Sequence, residues 1–286
     1  MTAIDPDLSI RSVHLAVGEL DRSIGFYERA LGLPLIAREG SRAQLGPDPR
    51  APALHLSAIS DSTPMPVGAT GLFHVAWLHP SRASLADSVR RVSAAGGRFD
   101  GAADHGVSEA LYLSDPDGLG IELYVDRPRE QWQRPADGHG VAMVTLPLDL
   151  EDLLAQSRDE PAAAVAPGTA IGHVHLKVSD VDRAASFYRD VLGMDEQATL
   201  PSAAFLSAGG YHHHIGLNSW QSQGAGPAPD TAPGLRLIEF ELGGREALDA
   251  LAADLDRSPA GAPARREDGG LLLSDPDADA LAFSAR

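Results

Sequence analysis

Apolar and polar positions change period along this chain, and each change marks an element. Residues 11–17 alternate and then run apolar through Val13, Leu15, Ala16 and Val17, as a strand does. Asp21 follows with the chemistry of a helix N-cap. Ile24, Tyr27, Ala30 and Leu31 then recur at helical spacing, and Gly32 stands where a helix would end. Short strands are expected near Leu35–Ala37, Arg42–Leu45 and Ala53–Ala58, which completes a β-α-β-β-β unit. A second unit starts at Gly71: a strand over LFHVAW, a helix over Ser84–Ala95 closed by Gly96 and Gly97, and strands near Arg98–Phe99, Ala110–Leu113 and Gly120–Val125. The turn between the last two is Asp115-Pro-Asp-Gly118.

Residues 128–169 break the pattern with Pro128, Pro135, Gly138 and Gly140, a short amphipathic helix near Leu148–Gln156 and an Ala/Pro run, EPAAAVAPGTA. The pattern then resumes. VHLAVGELDRSIGFYERALGL from Val13 returns as VHLKVSDVDRAASFYRDVLGM from Val174, and LSDPDGLGIELY from Leu113 returns as LSDPDADALAFS from Leu273. After a Gly/Pro-rich loop at Gln221–Pro233, a fourth unit is expected with a strand at Leu235–Leu242, a helix at Arg245–Leu255 and strands at Leu271–Leu273 and Ala280–Ser284. The expected fold class is α+β: four β-α-β-β-β modules paired into two curved mixed-sheet domains, 1–127 and 170–286, joined by a linker at 128–169.

The two halves differ in chemistry. The first holds His14, His74 and Glu122; at the positions of the last two the second holds Leu237 and Ala282. Each of the three lies in a strand-like segment, so alternation lets each offer one ligand inward. Two imidazoles and one carboxylate that leave coordination positions open suit non-haem Fe(II) oxygen chemistry, and the same donors serve Zn(II) or Mn(II) as a Lewis acid. With no cysteine in the chain, a metal must use His and carboxylate donors. The formal net charge of −17 argues against nucleic acid as a partner. No apolar run is long enough to span a membrane, and the acidic start MTAIDPDLSI is unlike a secretion signal, so a cytoplasmic protein is expected.

The two FY-x-x-x-LG segments, the DPDGLGIEL tail and the paired units resemble the vicinal oxygen chelate superfamily, which includes glyoxalase I, bleomycin-resistance proteins and extradiol ring-cleaving dioxygenases. HGVSEALYLSDPDGLGIELY (His105–Tyr124) is similar to a segment of the extradiol enzymes, and the chain as a whole looks most like two-domain catechol 2,3-dioxygenase-like proteins. The resemblance implies Fe(II) held by His14, His74 and Glu122, with His55 as the acid/base, His105 hydrogen-bonding the substrate or ligand shell, and Tyr112 contacting the metal-bound substrate oxygen. It also implies a catechol-type substrate and dioxygen, and it allows a homodimer. Isomerase or lyase chemistry with Zn, Mn or Ni, or small-molecule binding without turnover, are the other activities within that group. In the better-known two-domain extradiol enzymes the metal lies in the C-terminal pair of units, whereas here the complete set falls in the N-terminal pair. The C-terminal domain is expected to be a scaffold or an interface. An alternative site there would use His173, His175, His212 or His214 with Glu239 or Glu241, and the Tyr211–His214 run resembles the same acid/base position.

Overall fold

A computed structural model of the chain describes residues 2–136, 138–158, 162–258 and 262–286; the first two residues of the expected Ala/Pro run, 160–161, lie outside the described residues. Four units are present. The first comprises β1 (Ser9–Val17), α1 (Leu20–Phe26), β2 (Leu35–Glu39), β3 (Arg42–Leu45) and β4 (Leu54–Ala58). The second comprises β5 (Gly71–Leu78), α2 (Arg82–Ala94), β6 (Gly101–Asp104), β7 (Ser108–Ser114) and β8 (Gly120–Asp126). A short helix α3 (Leu150–Ala155) sits in the connector. The third has β9 (Ala170–Lys177), α4 (Val181–Ser186), β10 (Asp195–Leu200), β11 (Ala203–Ser207) and β12 (Ile215–Asn218). The fourth has β13 (Gly234–Leu242), α5 (Arg245–Asp256), β14 (Ala264–Arg265), β15 (Leu271–Ser274) and β16 (Ala280–Ala285).

Local chemistry sets the ends of these elements. Ser81 caps α2 and exchanges hydrogen bonds with Ser84, so the helix starts earlier than its apolar spacing suggested. Asp21 is not the cap of α1: the helix begins at Leu20, and Asp21 lies in its first turn, where a negative charge meets the exposed N–H groups. The strand expected at 98–99 forms at Gly101–Asp104 instead. α1 runs into a wide turn over Tyr27–Leu31, and Gly32 leaves it at φ 71°, a conformation that costs glycine little.

The sheets correct the expected domain layout. One eight-stranded sheet has the order β14-β15-β16-β13-β1-β4-β3-β2, and the other β10-β11-β12-β9-β5-β8-β7-β6. The first unit therefore pairs with the fourth, and the second with the third. Neither 1–127 nor 170–286 forms a sheet alone. The join in each sheet is antiparallel, β1 on β13 and β5 on β9, with Val13 opposite Ile238 and Val75 opposite Val174. These four central residues are 0–2% exposed and belong to one continuous core. Burying each side chain contributes roughly 1.5–3 kcal/mol. Because all four first strands carry the same pattern, that pattern does not choose among partners.

The two sheets are tied together by other means. The Tyr27 hydroxyl donates to Asp115 Oδ2 at 3.1 Å, and the Tyr188 hydroxyl to Asp275 Oδ2 at 3.1 Å. Each aspartate also accepts two backbone N–H groups of its own turn, from Asp117 and Leu119 in one copy and Asp277 and Asp279 in the other. Arg22 pairs with Asp117 and Arg183 with Asp277 beside them. Strand pairing joins units one to four and two to three; these tyrosine–aspartate contacts join one to two and three to four. The four units thus close into a ring.

Candidate metal centre and catalytic cavity

Alternation about the central residues decides which side chains face the hollow of each sheet. Around Val75 these are His74 and Ala76, and around Val174 they are His173 and His175. On β8, Glu122 follows Ile121, the partner of Val75, and lies beside Ala76. The outcome is a buried triad. His74 Nε2 lies 2.8 Å and His173 Nε2 3.0 Å from Glu122 Oε2, and the three side chains are 1–6% exposed. Ligands about 2.1 Å from one cation and at right angles to one another stand about 3 Å apart. The spacing therefore fits three donors on one face of a metal.

The His74 contact carries a second sign. Its Nε2 is buried and makes no hydrogen bond, although a carboxylate oxygen is 2.8 Å away. The nitrogen is aimed past the oxygen rather than at it. A lone pair directed into the space between three donors is what a metal ligand presents, whereas an unpartnered buried nitrogen would be costly. Burial pushes the Glu122 carboxyl up, but the adjoining His173 and His74 outweigh it and hold it well below the usual carboxylate range. Burial in turn pulls His173 down to about 4. The triad thus offers a carboxylate beside a His173 ring that burial disposes to give up its proton, and deprotonated donors are what a divalent cation needs.

The triad opens onto a cavity of about 460 Å³ walled by Phe73, Phe205, Trp220, Leu200, Met143 and Val144. His105, Tyr112, His175 and His213 also line it, and Glu122 is the one carboxylate among the described lining residues. His105 and Tyr112, on adjoining segments of the second unit, hydrogen-bond at 2.7 Å. His105 Nδ1 lies 2.8 Å from the Val144 carbonyl, which can only accept, so Nδ1 carries the proton. In the neutral ring Nε2 is then the acceptor, and the Tyr112 hydroxyl donates to it. Burial and the neighbouring Glu122 raise the Tyr112 pKa, which keeps the phenol protonated.

Elsewhere in the lining the His213 ring leans on that of His173 at a 45° tilt, with ring centroids 4.0 Å apart. Its orientation is fixed from behind. Asp126 Oδ1 is 2.9 Å from His212 Nε2, and His212 Nδ1 is 2.8 Å from His213 Nδ1. The carboxylate accepts from Nε2–H of His212, which leaves Nδ1 of His212 to accept from His213. The Nε2 of His213 is thereby left as a lone pair. Tyr211 adds a second donor to Asp126 at 3.2 Å.

Two sequence-based assignments are corrected. His14 does not meet His74 and Glu122: it follows Val13, whereas His74 precedes Val75, and β1 belongs to the other sheet. The residue at the His74 position of the opposing strand is His173. His55, on β4, stacks on His14 at 4.2 Å and does not line this cavity, whereas His213 does. Both His173 and His213 come from the third unit, expected to be a scaffold or an interface. A signal existed: Gly172-His173-Val174 repeats the pattern of Phe73-His74-Val75, offset by two from the His14–His175 match.

The Glyoxalase/Bleomycin resistance protein/Dioxygenase superfamily model matches residues 9–123 and 170–271. The chain belongs to this superfamily. It is 43% identical over 255 residues to a protein of Bacillus subtilis (strain 168) named catechol-2,3-dioxygenase, covering 88% of this chain and 89% of that one. Among solved structures, a putative dioxygenase from Bacillus subtilis subsp. subtilis str. 168 superposes with a TM-score of 0.66 at 13% identity, covering 99% of this chain and 86% of that one. Glyoxalase I from Zea mays superposes at 0.59 with 16% identity, covering 97% and 92%. At these identities the two structures speak for the shared fold. The superfamily's dioxygenases imply a metal cofactor, and the buried triad has the donors for one. Among the described residues no helix is long and apolar enough to cross a membrane.

Proposed function

We propose that this chain is a non-haem Fe(II)-dependent extradiol dioxygenase that opens the ring of a catechol-type substrate, with His74, His173 and Glu122 as the metal ligands. The observation that carries the reading is the triad itself, two imidazoles and a carboxylate on one wall of an aromatic cavity. The 43% identical relative supports it. When bound, Fe(II) would supply a Lewis-acidic, redox-active centre at which a chelating catechol and dioxygen are brought together.

The chain's own groups do the rest. Phe73, Phe205 and Trp220 hold an aromatic ring and keep bulk water out of the cavity, which strengthens each polar contact inside it. His213, kept neutral by burial and with Nε2 free, takes the proton that a catechol hydroxyl gives up and returns it later. In the same lining the Tyr112 hydroxyl, whose proton lies on the bond to His105 Nε2, can turn that proton towards charge that develops on a substrate oxygen, and His105 holds it in place until then. Since no lysine or arginine lines the cavity among the described residues, a catechol without an anionic substituent fits it best. The test is anaerobic loading with Fe(II), followed by neutral catechols and air. Oxygen uptake in step with a yellow ring-opened product is expected. No uptake across a broad panel, by protein carrying one Fe(II) per chain, overturns the reading.

A further inference from the structure

The other sheet holds a second cluster that the catalytic reading leaves unused. At its central join Ser12 and Leu237 stand where His74 and His173 stand, and the two positions that match Glu122 hold Ala282 on β16 and His55 on β4. The next inward positions along the central strands hold His14 on β1 and Glu239 on β13, and His55 lies beside His14. One ring nitrogen from each imidazole and one Glu239 oxygen fall within 4.8 Å of one another.

We propose that His14, His55 and Glu239 form a second divalent-metal site of the zinc class, in which His14 and Glu239 stand two residues along their strands from the positions that match His74 and His173, and His55 stands at a position that matches Glu122. His14 Nε2 lies 3.3 Å from Glu239 Oε2. Donors about 2.05 Å from a tetrahedral zinc stand about 3.3 Å apart. As with His74, this nitrogen is buried and makes no hydrogen bond despite the nearby carboxylate. The same mark therefore appears at two independent His/His/Glu groups. The surroundings orient the donors. Ser12 donates to Glu239 Oε2 at 2.6 Å, Arg266 holds Oε1 at 3.2 Å, and the Gln44 amide lies 3.5 Å from His55 Nδ1. Contacts of this kind around metal ligands fix which atom faces the ion.

Two features separate this site from the first. The His14 and Glu239 side chains are 33% and 15% exposed, against 1–6% in the first triad, so this site lies nearer the solvent. Arg266 already neutralises Glu239, so an arriving dication meets a cation close by, and the site binds more weakly than the buried triad.

The experiment is equilibrium dialysis of the full chain, stripped with chelator, against Zn(II), with bound metal counted by elemental analysis. Wild type should take up two equivalents, the second more weakly. Glu122→Ala should lose the tight one and His55→Ala the weak one. Arg266→Gln should tighten the weak one several-fold, which a purely structural ion-pair network does not predict. Circular dichroism of each variant confirms that it is folded, and Glu239→Gln repeats the test with little change of shape. The inference falls if wild type stops at one equivalent that Glu122→Ala removes, or if the second equivalent survives in both His55→Ala and Glu239→Gln. Should the buried triad fail to bind, wild type would hold one equivalent that His55→Ala alone removes, so failure of the two sites is told apart.

Discussion

The two sheets are built from the same unit used twice, yet they carry different side chains at the central join. Around Val75 and Val174 the inward positions are His74, His173 and, on the adjoining strand, Glu122; around Val13 and Ile238 the matching positions are Ser12, Leu237 and, on the adjoining strands, Ala282 and His55. The backbone frame is conserved between them while the side chains are not. A site of this kind depends on which of two same-facing residues, before or after the central one, carries the donor. His14 and His74 look alike in sequence but stand on opposite sides of that central residue, and they end in different sheets.

Perturbing the two sheets should give unequal effects. The largest is expected for Glu122→Ala, which removes the one carboxylate among the described residues that line the cavity. Catechol cleavage should fall by roughly 10³-fold or more, because the metal's chemistry is withdrawn with the ligand; oxygen uptake and iron content measured together check it. Next comes His213→Asn, expected to lower kcat by about 10²–10⁴-fold, the range for losing a general acid/base, while iron content stays unchanged. If Asp126 orients that residue through His212, Asp126→Asn should reproduce part of the loss with the metal retained.

Acid should also separate the sheets. His79, at the end of β5, is 2% exposed and is drawn down to about 4, chiefly by burial. Its folded pKa lies below its unfolded one, so the unfolded chain binds the extra proton. This group's contribution is complete above about pH 6.5 and is lost as pH falls towards 4, by about 3 kcal/mol in all. Hydrogen exchange of the metal-free protein should show β5 and β9 opening before β1 and β13 on acidification, and His79→Gln should reduce the difference.

Smaller effects test the joints between the two sheets. Tyr27→Phe removes the bond to Asp115 and should cost about 1–2 kcal/mol in urea unfolding with turnover unchanged. The two copies of the tail turn differ in one informative way. Gly118 sits at φ 84°, and its counterpart Ala278 at φ 73°, where a side chain is disfavoured. Ala278→Gly should stabilise the chain by about 1 kcal/mol, the smallest change in this series.

Much of this molecule is legible in its sequence. Period changes locate the units, and strand alternation places His74 and Glu122 on inward faces. Sheet partnership is not legible, because four first strands with one pattern offer equivalent edges and the connectors permit more than one pairing. The motifs that carry the family resemblance mislead in part. Tyr27 and Asp115 are in FY and DPD segments, yet they join units across sheets and do not line the cavity beside the triad. The third unit's donor was hidden by aligning His175 with His14, when His173 was the match to His74. His213 was visible as part of an odd histidine run, but its role depends on the Asp126–His212 chain behind it, which only the fold assembles.

Anomalous diffraction from crystals of the protein loaded with one equivalent of Fe(II) tests the central claim most directly. The account requires the iron peak to lie within bonding distance of His74 Nε2, His173 Nε2 and a Glu122 oxygen. A first equivalent found elsewhere in the molecule, with those three side chains free of metal, would contradict it.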